Sequence, residues 1–146
     1  MWLIHDDRIP ESDDETQLSF LRSWITSHIG DAGAILEKPL LIAEFGKSSQ
    51  LTRRQGSANR ERDALFATVY DIVYASIEAG GGGGSYSCSG ALFWQLLLEK
   101  GMDELRDGYE IVVSQSPSTA TIIAHHSRNI HRLINALVIE SSPAIV

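Results

Sequence analysis

Apolar residues return at three- and four-residue steps over Leu18, Leu21, Ile25, Ile29, Ala32 and Leu36, with Phe20 and Trp24 widening the stripe. That spacing predicts an amphipathic helix of about six turns with a bend near Gly30-Asp31. Asp13 or Asp14 suits its N-cap, Arg22, Ser23, Thr26 and Ser27 form its polar face, and Pro39 stops it. The pattern then changes to a short continuous apolar run, Leu40-Leu41-Ile42-Ala43, ending on Glu44-Phe45-Gly46. Such a run reads as a strand buried on both faces, as in parallel sheets covered by helices. A polar stretch from Gly46 to Asn59 holds Arg53, Arg54 and Gln55 and no core residues. The next helix is expected from about Arg60 to Ala79, with Leu65, Phe66, Val69, Tyr70, Val73, Tyr74 and Ile77 on one face.

The glycine run Gly80 to Gly84 ends that helix and reads as an overlong turn, because neither side alone has enough alternating elements for a domain. A second buried strand is expected over Ala91-Leu92-Phe93-Trp94-Gln95-Leu96-Leu97, and a charged loop over Gly101 to Glu110. Ser116-Pro117-Ser118 opens a last helix whose apolar face is Ile122, Ile123, Ile130, Leu133, Ile134 and Leu137, while Val138 to Val146 shows no further pattern. Helix, strand, helix, strand, helix is the order of a partial parallel α/β unit.

With 146 residues the chain fits one domain, whereas a complete eight-fold α/β barrel takes about 250 residues. A net charge of −7 argues against a basic surface for nucleic acid, and a neutral ligand fits better than a polyanion. Cys88 is the single cysteine, so no intrachain disulfide forms, and its neighbours offer no base to activate a thiol. His125 and His126 are adjacent on one helix and cannot both face one metal ion, and none of the five histidines is expected to be a ligand. Met1 to Asp7 lacks a basic segment followed by an apolar core, so no signal peptide is expected in this sequence. No apolar run approaches the ~20 residues of a membrane span, and no membrane association is expected.

Two residues stand out chemically. Glu44 falls at the C-terminal end of a buried strand, where α/β folds bind substrates, and ionising a carboxyl there needs specific donors. It is the leading catalytic candidate, the alternatives being an ion-pair partner for an arginine or a solvated rim residue. Trp94 is either core filling or a flat apolar platform for a sugar ring, with its indole N–H available as a donor.

The segments Gln17-Leu18-Ser19-Phe20-Leu21, Lys38-Pro39-Leu40-Leu41-Ile42-Ala43-Glu44-Phe45-Gly46-Lys47-Ser48, Leu92-Phe93-Trp94-Gln95-Leu96 and Asp107-Gly108-Tyr109-Glu110-Ile111 occur in this order. Together they resemble the plant-type mannan endo-1,4-β-mannosidases of glycoside hydrolase family 5, from the start of the chain to about Arg132. The remaining residues, 133–146, form the helix end and tail of the same single domain. The resemblance implies a partial TIM (β/α)8 barrel, roughly its last three βα units, with Glu44 on the seventh strand and Trp94 on the eighth. It matches Glu44 to the catalytic nucleophile, Trp94 to the aromatic platform at the cleavage point, and Trp2 to a tryptophan after the sixth strand. Retaining hydrolysis needs a second carboxyl about 5–5.5 Å from the nucleophile. In the family that acid/base is a glutamate following an asparagine on the fourth strand, and no segment of this sequence matches it. Asp103, Glu104, Asp107 and Glu110 match a family loop without an acid/base role, and Asp107 and Glu110 are expected to fix that loop or line the rim.

The resemblance therefore implies a hydrolase of cell-wall β-1,4-mannans, including galactomannan and glucomannan, that these residues alone do not complete. It implies β-mannan or mannooligosaccharide as the partner, no protein partner, no metal or organic cofactor, and a secreted location. The alternative is a truncated, non-catalytic relative that binds saccharide or assembles with another barrel fragment.

Overall fold

The computed structural model describes residues 14–48, 58–80 and 88–141. The first helix, α1 (Asp14–Asp31), carries Asp14 and Glu15 in its first turn, where the exposed N–H groups favour negative charge. Asp14 is its first residue, and Asp13, the other candidate cap, lies outside the described residues. The expected bend is a π-helical turn over Ala32–Leu36, closed by Glu37 in the left-handed region (φ 51°). Leu21 and Ile25 are fully buried and Leu18 and Ile29 pack against the core, whereas Phe20, Trp24 and Leu36, expected on the same stripe, are exposed. Phe20 and Trp24 lie on α1 and Leu36 at the end of the π-helical turn that follows it.

Strand β1 (Leu40–Phe45) pairs in parallel with β2 (Cys88–Phe93), and helix α2 (Ala58–Gly80) lies between them in the chain and packs on both sheet and helices. The expected α2 face is borne out at Leu65, Phe66, Val69, Tyr70, Val73 and Ile77, all buried. Phe66 is the hub: its ring centroid lies 4.9 Å from Phe45 and 5.7 Å from Phe93, in the tilted arrangements aromatic pairs prefer. β1 is not buried on both faces. Ile42 and Phe45 meet the helices, but Leu41 is 51% exposed, and Leu92, which pairs with Ala43 across the sheet, is 55% exposed. An apolar run has the same spelling whether one face is covered or two, so the sequence pattern could not separate the cases.

The second expected strand is also shorter than the pattern suggested. β2 ends at Phe93, the Trp94–Gln95 peptide bond is cis, and the chain re-enters sheet as β3 (Leu96–Leu97). β3 pairs in parallel with β4 (Ile111–Val112), and this second two-stranded sheet brackets the charged loop, β3 before it and β4 directly after Glu110. The last helix, α3 (Pro117–Ser141), packs along α2 through Ile122, Ile123, Ile130, Leu133 and Leu137. Ile134, expected on that face, is exposed, and the helix continues past Val138, where no pattern was legible. Among the described residues, no helix is long and apolar enough to cross a membrane.

Candidate active site

The end of β1 is irregular. The register slips between Ala43 and Phe45, and Glu44 takes φ 60°, a left-handed conformation disfavoured for a residue with a side chain. This bulge lets Ile42 and Phe45, three positions apart, both face the helices. It also sets Glu44 apart from the regular alternation. Its side chain is half-buried, and Oε2 is buried with no hydrogen-bond partner among the described residues. An unpaired polar oxygen removed from water costs about 1–3 kcal/mol, more when charged.

Trp94 lies directly across from this bulge. Its backbone N–H donates to the Phe45 carbonyl at 2.8 Å, continuing the β1–β2 contact one residue beyond the strand. Gly46 explains the close approach, because a Cβ there would stand 2.8 Å from the Trp94 carbonyl oxygen. Glycine thus allows the segment after Glu44 to pass against the backbone that carries the tryptophan.

The Trp94 indole is not a free donor, contrary to the sequence expectation. Nε1–H donates to Asp107 Oδ2 at 2.8 Å, while Asp107 Oδ1 accepts from the Tyr109 backbone N–H at 2.9 Å. Partial burial pushes the Asp107 carboxyl up, but hydrogen bonds led by that from Trp94 outweigh it and hold it below its ordinary value. Gln95 ties the same loop twice, donating its side-chain amide to Leu105 O and accepting from Ile111 N–H through its carbonyl, at 2.8 and 2.7 Å. Glu110 accepts from Gly108 N–H at 2.7 Å and Asp103 pairs with Arg106 at 3.0 Å. Asp107 and Glu110 therefore fix the loop, as expected.

Arg62 was not singled out from the sequence. It is 3% exposed, and its guanidinium donates to Lys47 O, Gly108 O and Ser116 Oγ at 3.2, 3.3 and 3.4 Å. One side chain thereby joins the segment after β1, the Asp107 loop and the start of α3. Burial pulls its pKa down, opposed by the charges of Glu110 and Asp63. A signal was present: Arg62 shares the helical spacing of Leu65, Phe66 and Val69, so a charged residue sat on the buried face of α2. Lys47, next to the same site, pairs with Glu61 at 3.0 Å and Asp14 at 3.4 Å, tying β1 to α2 and α1.

Trp2 and the polar stretch with Arg53, Arg54 and Gln55 lie outside the described residues. Cys88 is buried, its thiol donates to Gly90 O at 3.4 Å, and burial pushes its pKa up, so it acts as a small core residue. His126 stacks on Tyr70 with ring centroids 5.2 Å apart. Among the described residues, no group of three or more His, Cys, Asp or Glu side chains could hold a metal ion.

No family model matches the chain. Single relatives do. It is 46% identical over 131 residues to mannan endo-1,4-beta-mannosidase 1 of Oryza sativa subsp. japonica, covering 90% of this chain and 28% of that protein. It is 42% identical over 125 residues to mannan endo-1,4-beta-mannosidase 7 of Arabidopsis thaliana, covering 86% and 27%. Against mannan endo-1,4-beta-mannosidase 1 of Solanum lycopersicum it is 42% identical over 132 residues, covering 90% and 30%. The chain thus spans little more than a quarter of the length of these relatives, and along nine-tenths of its own residues it is similar to that part of the plant mannan endo-1,4-β-mannosidases.

Proposed function

We propose that this chain supplies the nucleophile side of a retaining endo-β-1,4-mannanase site, with Glu44 as nucleophile and Trp94 as the platform under the sugar. The observation that carries the reading is the Glu44 carboxylate, left with a buried, unpartnered oxygen on a bulge at the C-terminal end of a parallel strand, beside Trp94. A left-handed backbone and an unpaired buried oxygen are both costly, and they persist together where a group is held for a reactant. On this reading β1 and β2 are the seventh and eighth strands of a (β/α)8 barrel, and the open face bearing Leu41 and Leu92 belongs to its interior.

The chemistry follows. Glu44 forms a bond to the anomeric carbon as the glycosidic C–O bond breaks, and a second carboxyl protonates the departing oxygen. The same carboxyl then takes a proton from water, which displaces Glu44 and releases the sugar with retained configuration. Asp103, Asp107 and Glu110 are engaged within their own loop. Glu104 stands in the same loop, which matches one without an acid/base role, and no segment matches the family's Asn-Glu pair, so this reading takes the acid/base from residues outside this sequence. On this reading the substrate class is β-1,4-mannan, a cell-wall polysaccharide, and the working protein is expected outside the cell.

The 146 residues alone are expected to release no reducing ends from soluble galactomannan. Co-expressed with the part of the rice relative that the match leaves uncovered, they are expected to restore hydrolysis, with Glu44→Gln reducing it to background. Equal turnover by Glu44→Gln would overturn the assignment. A second reading, a non-catalytic saccharide binder, draws on the Trp94 platform and its Asp107 anchor, both complete among the described residues. Its signature is saturable mannohexaose binding by the chain alone, lost in Trp94→Ala.

A further inference from the structure

The backbone of Trp94 is fixed on both sides, by its N–H on Phe45 O and by its carbonyl against Gly46. What remains free is rotation about the two side-chain torsions, which decides the plane of the ring. The indole has one polar atom, a donor, and Asp107 takes it at 2.8 Å. Asp107 is itself held, since its other oxygen accepts from Tyr109 N–H and the next residue, Gly108, gives its carbonyl to Arg62 and its N–H to Glu110. Arg62 also donates to Lys47 O, three residues past Glu44. A planar fork of donors is suited to three acceptors on three segments, where a lysine offers one point charge.

We propose that Asp107 is the positioning residue of the Trp94 platform: it fixes the ring plane through the indole N–H, so that only the ring face meets a saccharide. Arg62 braces this arrangement by holding the Asp107 loop in register with the Glu44 segment. The functional half of the proposal rests on the reading of Trp94 as a sugar platform; the geometric half does not.

The test uses the 146-residue chain labelled with 15N. Its three tryptophans give three indole N–H signals, of which Trp94→Phe assigns one. In Asp107→Leu, which keeps the bulk and loses the acceptor, the Trp94 signal is expected to move upfield while that of Trp24, remote in α1, stays in place. Asp107→Asn, which keeps an acceptor oxygen, is expected to restore most of the wild-type position, and Asp107→Ala, which also lacks the acceptor, takes the place of the leucine variant should that one fail to fold. Mannohexaose binding is expected to weaken roughly threefold to tenfold in Asp107→Leu, the worth of one hydrogen bond, and to stay within about twofold in Asp107→Asn. A Trp94 signal that ignores both substitutions overturns the geometric claim. Unchanged mannohexaose affinity in Asp107→Leu, with the signal displaced, overturns the functional one. A displaced signal, with no mannohexaose bound either by the chain alone or by the chain co-expressed with the uncovered part of the rice relative, leaves the anchor standing and defeats the platform reading instead.

Discussion

Gly46 is the residue on which the candidate site turns most directly. An alanine Cβ there would meet a backbone oxygen at 2.8 Å rather than the end of a flexible side chain, so either the segment after Glu44 or the Trp94 peptide must move. Overpacking of this kind costs about 1–3 kcal/mol. Gly46→Ala is therefore expected to lower the urea midpoint and to shift the Trp94 indole signal, and a variant with both unchanged would show that the contact is loose. The same residue marks what was legible locally. The carboxylate after an apolar run identified Glu44 as a candidate, because position at a strand end is written in neighbouring residues. Its left-handed backbone and its unpartnered oxygen were not, because they depend on β2 lying alongside. The Trp94 indole likewise read as an available donor, since its acceptor stands thirteen residues away in the chain.

At the scale of elements, periodicity located α1, α2 and α3 and most of their buried faces, because a helix's repeat is set within a few residues. It placed Phe20, Trp24, Leu36 and Ile134 on buried faces, whereas all four are exposed. It also merged β2 and β3 into one strand, since apolar residues run through the break at Trp94–Gln95. The contact that orders these elements is Arg62, whose acceptors lie 15, 46 and 54 residues away. Replacing it by methionine keeps the length and removes the donors, leaving Lys47 O, Gly108 O and Ser116 Oγ to find other partners. Arg62→Met is expected to cost roughly 2–4 kcal/mol in urea unfolding, with Arg62→Lys recovering part of it. A loss below about 0.5 kcal/mol would mean that water replaces the guanidinium and that the three segments hold without it.

Across the whole molecule, the described residues divide into a covered core and a set of exposed apolar side chains. Leu21, Ile25, Phe45, Phe66, Val69, Val73 and Ile111 join one cluster beneath the helices, whereas Leu41, Leu92, Leu96, Leu98 and Val113 remain exposed. Apolar surface of this kind is costly in water and recruits further apolar surface. The purified chain is expected to bind a hydrophobic dye such as ANS in its native state and to self-associate as its concentration rises. A monomer without dye binding at high concentration would mean that these side chains are covered. By itself the sequence determined the three helices, the two principal strands, the candidates Glu44 and Trp94, and the kinship with plant mannanases, because each is carried by residues near one another in the chain. Only the tertiary structure decided that Glu44 sits on a bulge, that Asp107 takes the indole proton, that Arg62 binds three segments together, and that one face of the sheet lies open. Those properties belong to pairs of residues far apart in sequence, and a hydrogen bond or a covering side chain exists only once folding has brought both partners to the same place.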